Sequence, residues 1–184
     1  MEHDVNLPLT EEKARQLRAG DTVYLTGEVF TSRDAGHKRM TELLARGEKL
    51  PFDPMDATIY YVGPSPARPG QIIGSAGPTT SGRMDAYAPV LLAVGARGMI
   101  GKGKRSPEVV EAMKKHGGVY FGAIGGAGAL LAKCIKKSEL IAWEDLQSEA
   151  LRKLWVEKMP LVVVIDCQGN DLYKQGREAY LASR

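Results

Sequence analysis

Residues 21–47, DTVYLTGEVFTSRDAGHKRMTELLARG, place a strand and a helix in direct succession. Asp21–Phe30 alternates β-branched and aromatic residues with polar ones, the period of a half-buried strand, and Gly27 marks a bend or bulge within it. Ser32 then reads as the cap of a helix whose Met40, Leu43 and Leu44 form one apolar stripe. A strand feeding a helix is the repeating unit of α/β proteins.

The same alternation continues in both directions. Upstream, Thr10 caps a short helix with acids in its first turn, and Gly20 stops it. Downstream, Ala57–Val62 and Val119–Ile124 read as strands, and Met99–Lys104 as a short strand or glycine loop. A helix is expected from Thr79 toward Val94. Another runs from the Ser106 cap and Pro107 to Gly117, and a third covers Ala127–Ile135. The segment GPSPARPG after Val62 sustains neither ladder nor helix. Leu140–Trp143, Leu151–Glu157 and Leu161–Asp166 read as extended, with a helical alternative for LRKLWVE. Gln168–Asp171 reads as a hairpin turn. The β-rich last third predicts a mixed sheet rather than a purely parallel one. The fold class is therefore α/β, a mixed sheet with helices, and 184 residues without a visible linker or repeat predict one domain over residues 1–184.

Composition narrows the function. Lys and Arg number 25 against 22 Asp and Glu, a net charge of +3 that is too small for the basic stripe of a nucleic-acid binder. The charge-free stretches Gly117–Ala132 and Ala86–Ala96 fall short of the ~20 apolar residues of a membrane helix. The acidic, polar start lacks a signal-peptide pattern, so a cytoplasmic protein is expected. Cys134 and Cys167 are two cysteines in apolar settings. With three histidines and no CxxC or HxxxH, no metal site is written in this chain.

Four motifs carry chemistry. Gly98–Arg105 (GMIGKGKR) fits G-x-x-x-x-G-K, but Arg105 stands where a phosphate loop needs Ser or Thr for magnesium. Its lysines and amides before a helix start still suit some anion. Gly122–Leu131 approximates a dinucleotide fingerprint without the third glycine, and reads equally as a close backbone packing site. Ser32-Arg33-Asp34 sets an arginine at a helix N-terminus, where the macrodipole favours anions. A bound carboxylate or phosphate would relieve that conflict, with Asp34 free to orient Arg33. His37, one turn on, reads as a packed histidine. Gly77–Asp85 (GPTTSGRMD) puts Thr79 and Arg83 four apart, on one face if helical. Blandly, Thr79 or Thr80 is only a cap. Together, Arg33, Arg83 and Lys102, with Lys104 in reserve, supply the two clamps that a small dicarboxylate needs.

SRDAGHKRM, GSAGPTTSGRMD, IGKGKRS, KKHGGVYFGAIGGAGALLA and MPLVVVIDCQGNDLY occur in that order. With them the chain resembles the beta subunit, or C-terminal region, of the iron–sulfur class I fumarate hydratases and L-tartrate dehydratases, over roughly residues 20–175. The resemblance implies a swivelling β/β/α domain and a hydro-lyase acting on a four-carbon dicarboxylate, fumarate to malate or tartrate to oxaloacetate. It implies a [4Fe–4S] cluster held by three cysteines of a separate alpha subunit, and an oligomeric assembly active only with that subunit. By position it makes Arg33 and Arg83 carboxylate ligands, Thr79 the candidate base and Lys102 a group near the reacting centre, with Asp34, Thr80 and Lys104 in support. Lys104 departs from the Asn common in the family, and Ser32 from the common Ala. Two other readings stand beside it: a non-catalytic anion- or nucleotide-binding module using Gly98–Arg105, and a purely structural assembly subunit.

Overall fold

The computed structural model describes residues 1–183. Seven strands alternate with six helices: β1 (Glu2–Asn6), α1 (Glu11–Gln16), β2 (Thr22–Thr31), α2 (Asp34–Ala45), β3 (Thr58–Tyr60), α3 (Ala88–Ala93), β4 (Gly98–Gly101), α4 (Pro107–His116), β5 (Val119–Gly122), α5 (Gly128–Cys134), β6 (Ile135–Ala142), β7 (Leu151–Ile165) and α6 (Leu172–Ala182). The mixed α/β expectation holds. β1 through β5 pair in parallel, whereas β7 runs antiparallel to β2, β5 and β6.

Closure comes from β7. One of its edges takes β2 along nearly its whole length; the other takes β6 first and then β5. The circuit β2–β3–β4–β5–β7–β2 is therefore a five-stranded barrel, which leaves these strands no free edge. Gly27 lies at the register shift between Leu25 and Gly27, as the bulge reading requires.

Alternation along the strands divides the core. Val23, Leu25, Val29, Tyr60, Val62, Ile100, Val119, Phe121, Leu154 and Val163 pack in one inner cluster with contributions from all five barrel strands. Their neighbours Ile59, Tyr61, Met99, Tyr120 and Val164 face outward under Met40 of α2, Leu91 and Leu92 of α3, and Val109 and Met113 of α4. Strands buried on both faces explain why Ala57–Val62 and Val119–Ile124 read as continuous apolar runs.

Several expectations change. The extended segments 151–157 and 161–166 are one fifteen-residue strand that runs through Pro160, which stands opposite Tyr24. The turn at Gln168–Asp171 brings the chain back in one isolated antiparallel bridge, Ile165 to Asp171, and leads into a helix rather than a second strand. Asp171 caps α6, its carboxylate accepting the Tyr173 amide at 2.9 Å. The helix expected from Thr79 to Val94 is instead a 3-10 turn at Ser81–Met84 followed by α3. Ser32 does not cap α2: Arg33 holds the cap position, and Ser32 Oγ lies 2.8 Å from His37 Nδ1. β1, polar and short, gave no strand signal. By contrast α4 forms as read, with Ser106 Oγ accepting the Val109 amide and Gly117 ending the helix in the left-handed region.

Candidate functional site

The parallel strands β2 to β4 all end at one rim of the barrel, and the chemical motifs hang from those ends, the usual position for sites in parallel sheets. Arg33 and Asp34 follow β2, Tyr61 and Gly63 follow β3, and Lys102 follows β4. The Thr79 segment is threaded between the last two by a backbone ladder. The Thr79 amide donates to Tyr61 O (2.7 Å), the Lys102 amide to Thr79 O (3.3 Å), and the Ser81 amide to Lys102 O (2.9 Å), with Thr80 and Lys102 bridged as in a parallel sheet. Thr79 therefore lies in extended chain before the 3-10 turn, and Arg83 within it. The two do not share a helix face. What unites them is the ladder, not the spacing. Gly101 is required at this junction, since a Cβ there would lie 1.9 Å from Ser81 Oγ.

Arg33 and Arg83 come from segments fifty residues apart and meet at one carboxylate. Arg83 Nε donates to Asp34 Oδ1 at 2.9 Å and its Nη2 stands 2.8 Å from Oδ2. Arg33 Nε lies 4.0 Å from Asp34 Oδ2 and 3.9 Å from Glu149 Oε1, outside hydrogen-bond range of both. The Arg33 side chain is only 25% exposed, and its Nε is buried without a hydrogen-bond partner among the described residues. A half-buried guanidinium with donors unspent is a ready receptor for a carboxylate. Space for it depends on Gly63, where a Cβ would stand 2.8 Å from Arg33 Cδ and Nη1.

His37 anchors this arginine from below. It is buried, its Nδ1 within 2.9 Å of Arg33 O and 2.8 Å of Ser32 Oγ, with Tyr61 edge-on at 5.1 Å. Burial brings its pKa down to about 4, so the ring is neutral at physiological pH. Lys102 is exposed and lies over Gly125 beyond β5, with Nζ 3.7 Å from where a Cβ would be. Thr80 and Lys104 are also exposed on this rim, and Thr79 is half-buried.

The sequence reading passed over a buried cluster beneath these residues. The Arg105 side chain is fully buried, its Nε donating to Asp85 Oδ1 at 2.7 Å and its guanidinium 5.2 Å and 4.9 Å from the Tyr61 and Tyr120 ring centres. Asp85 Oδ2 also accepts the Ser106 amide at 2.7 Å, and the Tyr120 hydroxyl lies within 2.9 Å of Ser81 Oγ and Gly103 O. The anion expected before α4 is thus the protein's own Asp85. Half of the supposed phosphate loop, Gly98–Gly101, is strand β4. The signal available in the sequence was Arg105 itself, the residue that did not fit the loop motif. In the glycine-rich turn Gly122–Leu131, Gly128 packs against Gly77 so closely that a Cβ would stand 2.9 Å from Gly77 N, as the close-packing reading expects.

Cavities of about 700 Å³ and 320 Å³ flank the 65–75 loop, and neither is lined by Arg33, Thr79, Arg83 or Lys102. Of those four, Arg83 and Lys102 are exposed, and Arg33 and Thr79 are half-buried. The donor set does not fit an iron–sulfur cluster: Cys134 and Cys167 are the two cysteines, Cys167 Sγ lies 3.6 Å from Ala14 O, and among the described residues no three His, Cys, Asp or Glu side chains gather as metal ligands. No helix among the described residues is long and apolar enough to cross a membrane.

Comparison with known proteins gives this geometry a family. The model of the fumarase C-terminus matches residues 1–176. The aerobic class I fumarate hydratase of Salmonella typhimurium is 40% identical over 176 residues, 94% of this chain and 30% of the relative. The anaerobic class I fumarate hydratase of Escherichia coli is 41% identical over 176 residues and 32% of its own length. The chain thus spans about a third of these curated relatives. A Methanocaldococcus jannaschii protein provisionally named L(+)-tartrate dehydratase subunit beta is 35% identical over 181 residues, 95% of this chain and 92% of that subunit. The chain belongs to the fumarase C-terminus family.

Proposed function

We propose that the chain, as one domain, is the beta component of a hydro-lyase that adds or removes water across a four-carbon dicarboxylate, fumarate to malate or tartrate to oxaloacetate. The observation that carries this reading is Arg33, a half-buried cation with unspent donors, held within one carboxylate's reach of Arg83 on the rim that also bears Thr79 and Lys102. Arg33 takes one substrate carboxylate and Arg83 the other. Two such clamps fix both ends of a diacid and leave the carbons between them facing Thr79 and Lys102.

The hydrogen to be removed sits α to a carboxylate and is weakly acidic, so the base must be strengthened and the developing anion supported. Thr79 is the proposed base. Its position outside any helix removes the help of a helix dipole, and leaves the Lys102 ammonium on the neighbouring strand end as the charge favouring its alkoxide. Thr80 and Lys104 enlarge the positive, hydrogen-bonding rim. The [4Fe–4S] cluster of the family is assigned to an alpha partner subunit, in line with the beta-subunit name of the archaeal relative and with the donor set of this chain. The exposure of Arg83 and Lys102 beside half-buried Arg33 and Thr79 supports a site completed by that partner in a cytoplasmic, oligomeric complex.

Anaerobic co-expression with the alpha subunit tests the reading. Arg33→Ala is expected to raise KM for fumarate or tartrate by about 10–100-fold, and Thr79→Ala to lower kcat by about 10²–10³-fold. Turnover by the chain alone, free of iron, overturns it, as would full activity of an assembled Arg33→Ala complex. The nucleotide-module alternative finds less support, because Arg105 and the Ser106 amide are already engaged by Asp85.

A further inference from the structure

The two arginines assigned to substrate differ in one respect: Arg33 makes no side-chain hydrogen bond to a described residue, and Arg83 is already gripped. Arginine offers two forks, one side-on through Nε and Nη2 and one end-on through Nη1 and Nη2. Asp34 lies on the side-on edge of Arg83: Nε donates to Oδ1 at 2.9 Å, and Oδ2 stands 2.8 Å from Nη2 as an ion-pair contact, buried without a hydrogen bond to any described residue. No described residue is hydrogen-bonded at Nη1 on the end-on edge. We propose that Asp34 is a positioning residue that holds the half-exposed Arg83 on its side-on fork and so aims the end-on fork at substrate. This rests on the reading that Arg83 binds a substrate carboxylate.

Both mounts are rigid. Asp34 occupies the first turn of α2, whose Met40 is fully buried, and Arg83 sits in a 3-10 turn between buried Ser81 and Met84. Met40 and Met84 belong to the same buried cluster, so the distance between the two mounts is fixed by packing. The Arg83 side chain itself is 52% exposed. Untethered, it would sample many rotamers and lose that freedom on binding. A plain helix-dipole role for Asp34 would not explain why its two oxygens face a guanidinium forty-nine residues away.

A rival role makes the opposite prediction. If Asp34 merely occupies the substrate's place on Arg83, removing its charge should tighten the binding of a dianion. If it positions Arg83, removing it should weaken binding despite the gain in positive potential. Asp34→Asn keeps the size and discards the charge; Asp34→Glu keeps the charge and misplaces it. In the assembled complex both are expected to raise KM about fivefold with kcat changed less than about twofold, a size set by an exposed ion pair. In an Arg83→Ala background, Asp34→Asn should add nothing, because the effect travels through Arg83. In the chain by itself, the Arg83 Nε–H proton should exchange with water faster in Asp34→Asn than in wild type, as followed by NMR. A lowered KM, an undiminished effect in the Arg83→Ala background, or unchanged exchange overturns the inference. Arg83→Ala with wild-type KM overturns instead the placement of Arg83 in the site.

Discussion

Removal of the Arg105 guanidinium should be the most damaging single change beneath the rim. Its side chain is wholly buried, its Nε bonds Asp85 at 2.7 Å, and its plane lies about 5 Å from the centres of two tyrosine rings. Arg105→Met keeps much of the aliphatic volume but leaves Asp85, 15% exposed, with only the Ser106 amide as partner among the described residues. Breaking a buried pair by deleting one member typically destabilises by about 3–5 kcal/mol, to which loss of the ring contacts adds about 1–2 kcal/mol. At about 2–4 °C per kcal/mol for a chain of this size, Tm should fall by about 10–25 °C. Urea titration followed by circular dichroism measures the loss. Arg105→Lys should recover only part of it, because an ammonium cannot present a planar face to Tyr61 and Tyr120. The double variant with Asp85→Asn should lose less than the two single changes combined, since the carboxylate is then no longer stranded. A midpoint for Arg105→Met equal to wild type would refute the reasoning.

Two further outcomes follow from groups nearby. Burial depresses the His37 pKa to about 4, below the ~6.5 of an unfolded histidine, so between these values the unfolded chain binds the extra proton. Stability should therefore be intact above about pH 6.5 and decline by up to about 3 kcal/mol as pH falls toward 4; His37→Asn should flatten that slope in urea titrations at a series of pH values. Gly101→Ala places a methyl 1.9 Å from Ser81 Oγ. It should destabilise by about 1–3 kcal/mol and loosen the ladder that carries Lys102, seen as faster amide exchange at Ser81 and Lys102.

Local signals were legible in the sequence; non-local closure was not. Ser106, Pro107 and Gly117 fix α4 because each acts within one turn, and the alternation of β2 states its inner face unaided. At Pro160, the local expectation of a break gives way to pairing with β2, whose partners lie more than a hundred residues upstream. Thr79 loses its expected helix for the same reason: the ladder it joins is made with Tyr61 and Lys102, and no spacing within GPTTSGRMD records those neighbours. Among the candidate residues, the electrostatic oddity of Arg33 at a helix start was readable, and the arginine stands there as the cap residue without a side-chain cap bond. Asp34 reads from sequence as a partner for Arg33. In the folded chain its close contact is Arg83, with Arg33 at 4.0 Å, because the 3-10 turn brings the more distant residue nearer.

Charge on this rim argues that the site is half of something. Arg33 and Arg83 stand beside Asp34 and Glu149, and Lys102 and Lys104 on the same rim add a surplus of two positive charges, which matches the two carboxylates of a diacid. Yet three of those cations are exposed, and in water a pair of unit charges at 4 Å is worth only about 1 kcal/mol, against about 4 kcal/mol at the effective dielectric near a protein surface. One half-buried and one exposed clamp at this rim hold a small diacid weakly and give little support to the anion formed when its α-proton leaves. The same residues under a cover that excludes water gain severalfold in interaction without moving. On the proposed function, the arrangement on this chain is complete in charge and incomplete in dielectric, and the proposed partner is expected to supply the missing term by desolvating the rim as well as by whatever groups it adds.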